Sequence, residues 1–172
     1  MPGKRAQLGA MSDASVRVLF VCMGNICRSP LAEAVFHDLV VQAGLENRIA
    51  IDSAGIGSWH IGEPADPRTR AVAQQRGLRL ASRARQVATG DLQEFDLVVV
   101  MDEDNLRGIE RLRNEVPVRA EIRRLREFDP SADSDLDVPD PYYGGDGGFE
   151  RVHDMIERAC AGLLEHVRRT RL

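Results

Sequence analysis

The chemistry in this 172-residue sequence concentrates in one run, Cys22-Met23-Gly24-Asn25-Ile26-Cys27-Arg28-Ser29. It follows the apolar, β-branched stretch VRVLFV (Val16 to Val21) and precedes Pro30, so a strand end, a tight loop and a helix start fall together. Loop N–H groups converging on a helix N-terminus favour an anion, because the unpaired donors and the helix dipole act in the same direction. Gly24 permits a left-handed turn and Asn25 tolerates one. Arg28 can grip two oxygens of a phosphate with its planar fork. Cys22 shares that positive site, which favours its thiolate, and the Ser29 hydroxyl can donate to the same sulfur. The pattern predicts a nucleophile beneath a bound phosphate, with Met23, Gly24, Asn25, Ile26, Cys27 and Ser29 forming the cradle.

No Gly-Lys-Ser/Thr follows, which excludes a Walker-type nucleotide loop. Cys22 and Cys27 lack finger spacing and no second Cys/His pair follows, so no metal is expected. Hydrolysing a phosphate monoester also needs a proton donor, because a phenolate leaves poorly at neutral pH. The polar loop from Phe128 to Gly148 offers Asp129, Asp133, Asp135, Asp137 and Asp140. Asp140 fits, held extended by Pro141, although the residues alone leave the choice open. Trp59, Tyr142 and Tyr143 are candidates for an aromatic wall, which would favour phosphotyrosine over the shorter phosphoserine. His60, beside Trp59, reads as a loop residue outside the catalytic set.

These groups need a scaffold. Ser29 reads as an N-cap with Pro30 first in a helix that stops at Gly44 and turns Leu31, Ala34, Val35, Leu39 and Val40 inward. RIAIDSAG (Arg48 to Gly55), DLVVVM (Asp96 to Met101) and AEIRRL (Ala120 to Leu125) read as further strands. Helices are predicted from Asp66-Pro67 to Gly77, from Asp102 to Asn114, and from about Phe149, the last with Val152, Met155, Ile156, Ala159, Leu163 and Val167 on one face. This alternation predicts an α/β fold: one three-layer domain with a parallel sheet flanked by helices, the phosphate loop lying between first strand and first helix. Residues 1–14 show no periodicity and read as a disordered tail, leaving 15–172 as a single catalytic domain.

Composition narrows the classes. With 43% hydrophobic and 29% charged residues the chain reads as globular. No apolar run nears the ~20 residues that span a bilayer. A net charge of −4 offers no basic excess for nucleic acid. Three cysteines argue for a reducing cytoplasm rather than a disulfide framework.

The segment VLFVCMGNICRSP resembles the phosphate-binding loop of the low-molecular-weight protein tyrosine phosphatases. DSAGIGSWH around Trp59, MDEDNL (Met101 to Leu106) and DPYYGG (Asp140 to Gly145) match as well, so the resemblance covers most of Val16 to Leu172. It implies a four-stranded parallel sheet and a cofactor-free, two-step phosphatase. By matching position it makes Cys22 the nucleophile, Arg28 the phosphate clamp and Asp140 the general acid, and places Trp59 in the cleft. The partners it implies are phosphotyrosine-containing proteins, with inorganic phosphate and other oxyanions as product-like inhibitors, and neither nucleic acid nor membrane.

Three other readings compete. An arsenate reductase of related fold needs a relay pair of cysteines, and only Cys160 lies outside the loop. Relatives that are protein arginine phosphatases carry threonine at the position of Ile26, so Ile26 favours tyrosine. A catalytically silent phosphate- or phosphoprotein-binding module would need neither Cys22 nor Asp140. The tight loop further suggests a Cys22–Cys27 disulfide on oxidation, which the resemblance supports.

Overall fold

The apolar runs of the sequence pair into one sheet in the computed structural model, which describes residues 14–145 and 147–172. β1 (Val16–Cys22), β2 (Ile49–Gly55), β3 (Leu97–Val100) and β4 (Glu121–Arg124) form four parallel strands in the order β2-β1-β3-β4. Val16 pairs with Ile49 and Cys22 with Gly55, while Val18 to Val21 run beside Leu97 to Val100. Parallel neighbours need crossovers, and the helices that make them cover both faces.

Successive side chains on a strand point to opposite faces, so one run feeds two cores. Val16, Val18 and Phe20 pack with Leu97 and Val99 against α1 (Arg28–Gln42) and α5 (Gly148–Arg171). Leu19, Val21, Val98 and Val100 face Ile109 of α4 (Glu103–Arg113) and Leu92 of the short α3 (Asp91–Glu94). Each buried Val or Leu contributes roughly 1.5–3 kcal/mol, which is why uninterrupted aliphatic strands sit here. The remaining helix, α2 (Pro67–Gln75), is capped by Asp66, whose carboxylate accepts the Arg68 N–H at 2.8 Å. Two 3₁₀ turns mark the long acidic loop: Leu125–Phe128 leads into it from β4 and Pro141–Tyr143 lies within it. The first lies hard against α5: a Cβ on Gly162 would stand 1.8 Å from the Phe128 carbonyl oxygen.

Several expectations shift. The first helix begins at Arg28 with Cys27 at its N-cap, so Ser29 is a helical residue and not the cap. Its inward face holds Leu31, Ala32, Val35, Phe36 and Val40, whereas Ala34 and Leu39 are only partly buried. α3, of four residues, is too short to leave a periodic signal. On α5, Met155 is partly exposed, and His153 and Cys160 join the buried face. Residues 1–13, which hold nearly all of the expected tail, lie outside the described residues. Among the described residues no helix is long and apolar enough to cross a membrane.

Candidate active site

β1 delivers Cys22 to the carboxyl edge of the sheet, and the chain turns through the loop into α1. The left-handed turn residue is Asn25, with φ 57°, and Gly24 does not adopt that conformation. Asparagine tolerates it better than most side chains, and here the side chain also holds it. Asn25 Nδ2 donates to Ser29 Oγ at 2.7 Å and to Ser53 Oγ at 3.0 Å, and its Oδ1 accepts the Arg85 N–H at 3.1 Å. Gly24 has a steric reason instead: a Cβ there would meet the His60 ring at 2.9 Å.

Ser29 Oγ lies 3.0 Å from Cys22 Sγ. Because that hydroxyl accepts from Asn25, its own proton is free to point at the sulfur. This is why Ser29 does not cap the helix. Its hydroxyl is recruited by two groups that precede it in the chain.

Arg28, at the first turn of α1, is 2% exposed. Its Nη1 donates to Asp102 Oδ2 at 2.6 Å and to the Val138 carbonyl at 2.9 Å. Its Nη2 stands 3.6 Å from Asp140 Oδ2. Burial opposes the guanidinium charge, but the sulfur of Cys22, Asp102 and Asp140 together raise its affinity for the proton above the ordinary value. Arg28 therefore stays cationic and fixed in direction.

The acidic loop sorts itself by partner. Asp129 is buried near Arg126 and Arg158, and its Oδ1 accepts the Ser131 N–H. Asp137 accepts the Glu103 N–H and lies 3.6 Å from Arg124. Asp133 and Asp135 each accept an N–H two residues on, closing local turns. Asp140 alone of this set lines the same cleft as Cys22 and Arg28. Its Oδ1 accepts the Tyr142 N–H at 3.0 Å, which fixes the carboxyl while Oδ2 faces Arg28.

That cleft has a volume of about 620 Å³. Cys22, Met23, Gly24, Ile26, Cys27 and Arg28 line it from the loop. Trp59, His60, Tyr142, Asp102, Asp104 and Asp140 complete it. It runs from a sulfur-bearing residue that is 2% exposed to a tryptophan that is 71% exposed. Arg68 stacks over the Tyr142 ring, its guanidinium carbon 5.2 Å from the centroid, and so steadies that wall. The side chain of Tyr143 lies outside the described part. Asn25 and Ser29, expected in the cradle, turn their side chains inward and hold the loop. Burial pushes the Cys27 thiol up to about 12; a Thr69 hydrogen bond opposes this, and the charges of Asp66, Cys22 and Asp140 add to it.

Sequence reasoning passed over Asp102, Asp104, Ser53 and Arg85, and set His60 aside. Asp102 had one local signal, its position as N-cap of α4 directly after β3. Its Oδ1 accepts the Asn105 N–H at 2.8 Å while Oδ2 takes Arg28. His60 lines the cleft with Nδ1 2.6 Å from Glu63 Oε2. Among the described residues no group of three His, Cys, Asp or Glu side chains is placed to hold a metal ion.

A parallel α/β sheet with a thiol and an arginine in the loop after its first strand narrows the class to cysteine-based phosphate chemistry. The family model for low molecular weight phosphotyrosine protein phosphatase matches residues 17–172, and the chain belongs to that family. It is 52% identical over 153 residues to a low molecular weight protein-tyrosine-phosphatase of Streptomyces coelicolor, covering 88% of this chain and 93% of that one. Its structure superposes on that of YfkJ from Bacillus subtilis with a TM-score of 0.85 at 40% identity, covering 91% and 97% of the two chains. It also resembles Vibrio vulnificus Wzb, solved in complex with benzylphosphonate, with a TM-score of 0.75 at 25% identity over 89% and 99% of the chains. The expected resemblance and fold class are thus borne out.

Proposed function

We propose that this chain hydrolyses phosphotyrosine in proteins through a cysteinyl-phosphate intermediate. The observation that carries the reading is the convergence of Cys22, Arg28 and Asp140 on one cleft, with Arg28 aimed by Asp102. The Cys22 thiolate attacks phosphorus, the S–P bond forms, and the bond to the ester oxygen breaks. Asp140 gives that oxygen its proton, so phenol and not phenolate departs. Water then attacks the phosphocysteine, Asp140 takes the water's proton, and inorganic phosphate and the thiolate are released. Arg28 and the loop donors hold the phosphoryl oxygens throughout, where charge accumulates.

The cleft between Cys22 and the Trp59 and Tyr142 rings suits a phenyl ring carrying the phosphate, and the benzylphosphonate bound by Wzb likewise carries a phenyl ring beside its phosphonate. Ile26, packed with Cys27 and Ala84, adds an apolar surface that favours the ring over a guanidinium. Inorganic phosphate and similar oxyanions would bind as product analogues, and neither nucleic acid nor membrane is a partner in this reading. Residues 15–172 act as one catalytic domain. The free state of Cys22, Cys27 and Cys160 suits a reducing cytoplasm.

Peptides carrying phosphotyrosine, phosphoserine or phosphoarginine, assayed in parallel, test the reading. Phosphotyrosine is expected to be turned over fastest, and Cys22→Ser to abolish turnover while vanadate binding persists. Faster release of phosphate from phosphoarginine would overturn the substrate assignment. Normal hydrolysis by Cys22→Ser would overturn the mechanism.

A further inference from the structure

A charged cluster beside the phosphate loop is used by no step of the hydrolysis. The chain around Arg85 lies along the end of β2, where Gly55 donates its N–H to the Arg85 carbonyl at 2.8 Å and accepts the Val87 N–H at 2.8 Å. From this position the Arg85 N–H reaches Asn25 Oδ1. The Arg85 guanidinium is forked between two elements. Its Nε donates to Asp52 Oδ2 at 3.1 Å, and Nη1 and Nη2 donate to the two oxygens of Asp91 at 3.0 and 3.1 Å. Asp52 belongs to β2 and Asp91 to α3, so one side chain ties both to the segment that holds Asn25.

We propose that Arg85 is a positioning residue for the nucleophile: its forked guanidinium fixes the backbone N–H that holds Asn25, and Asn25 in turn holds the Ser29 hydroxyl against the Cys22 sulfur. The inference rests on Cys22 being the reactive thiol. The Ser29 hydroxyl has a choice of acceptors, Cys22 Sγ at 3.0 Å or the Ala54 carbonyl at 3.4 Å. Its direction is set by the Asn25 amide, which must present Nδ2 to Ser29 and Ser53 and Oδ1 to Arg85 at once. Removing the fork leaves Asp52 and Asp91 without the cation between them. Their repulsion moves the segment, Oδ1 loses its donor, and the amide no longer dictates where the hydroxyl points. Glu33 adds no charge to this cluster at neutral pH, since burial and the charge of Asp52 push its carboxyl up to about 8. A lysine cannot replace the arginine, because a point charge does not span two carboxylates in plane.

The test uses the full chain with Arg85→Met, Arg85→Lys and Asp91→Asn. Cys22 is alkylated with iodoacetate at about pH 5 and about pH 9, located by peptide mapping, and kcat is measured per titrated Cys22. A hydrogen bond to a charged group contributes about 1.5 kcal/mol, so alkylation at the lower pH is expected to slow about tenfold in all three variants. At the higher pH the rates converge, and kcat falls by about tenfold. In an Asn25→Ala background, Arg85→Met adds less than about a twofold further loss, because the two act through one chain of bonds. Wild-type alkylation at the lower pH, alongside a lowered melting temperature, would reduce Arg85 to fold stabilisation and overturn the proposal. Should Arg85→Met fail to fold, Asp91→Asn breaks the same fork at constant shape and decides the question. Alkylation needs no phosphatase substrate, so slowed alkylation of the variants, alongside a wild type inactive on phosphotyrosine, would sink the functional reading and keep this one.

Discussion

Arg28 donates to Asp102 Oδ2 at 2.6 Å while the other Asp102 oxygen caps α4 through the Asn105 N–H. One carboxylate thus aims the phosphate clamp and starts a helix. The two donors face different oxygens, and in an amide one of these becomes an NH2 that cannot accept. Asp102→Asn is therefore expected to lower kcat/KM about 10- to 100-fold, the scale of losing a hydrogen bond to a charged group. Vanadate affinity should fall with it, and steady-state kinetics with vanadate inhibition check both.

Asp140→Ala should slow aryl phosphates with poor leaving groups by on the order of 10²–10⁴-fold. The loss should shrink as the leaving phenol becomes more acidic, because less protonation is needed. Asp137→Ala should change little, its carboxylate being engaged by Glu103 and Arg124. A leaving-group series on both variants separates the two carboxylates.

Glu33 gives the fold a pH dependence of known sign. Burial and the Asp52 charge push its carboxyl up to about 8, against an ordinary 4.5; bonds to the Ser82 and Ser53 hydroxyls act the other way. The folded protein thus keeps a proton that the unfolded chain releases above about pH 4.5. The stability this contributes is full below that pH and is lost as pH rises through about 8. Glu33→Gln is expected to flatten the stability curve over this window. Urea denaturation at several pH values measures it, and parallel curves for the two proteins would refute the assignment.

Cys22 and Cys27 line one cleft, yet burial holds Cys27 up at about 12 as a neutral thiol. Peroxide should therefore attack Cys22 first, converting the thiolate to a sulfenic acid with loss of hydroxide. Cys27 can then condense with it, forming the disulfide and releasing water. Wild type is expected to regain activity with a thiol reductant after peroxide. Cys27→Ser should be active but recover poorly, and equal recovery would leave Cys27 a packing residue.

The strands were legible because Val16 to Val21 and Leu97 to Val100 are aliphatic runs buried on both faces, where composition and structure coincide. The loop was legible because Cys22, Arg28 and Ser29 lie within one strand-to-helix turn. What escaped were partnerships across the chain. Asp102 acts on Arg28 across 74 positions, and the Arg85 N–H meets Asn25 across 60, with no local pattern to announce either. Ser29-Pro30 did carry a local pattern, the signature of a helix cap. It misled because the Ser29 hydroxyl is claimed by Asn25 and Cys22. The choice of Asp140 over its neighbours likewise depended on resemblance, since all stand in one acidic stretch and only the fold separates them.

The bond from Arg28 to the Val138 carbonyl joins groups 110 positions apart. During synthesis Cys22 leaves the ribosome long before Val138 exists, and closing so wide a loop comes late in folding. Until it closes, the guanidinium has Asp102 but lacks the Val138 carbonyl and the Asp140 carboxylate, and the thiol stands beside an unaimed clamp. Catalytic competence thereby becomes a property of the nearly finished chain. Nascent and partly unfolded molecules, however much helix they have formed, are therefore expected not to strip phosphate from their neighbours.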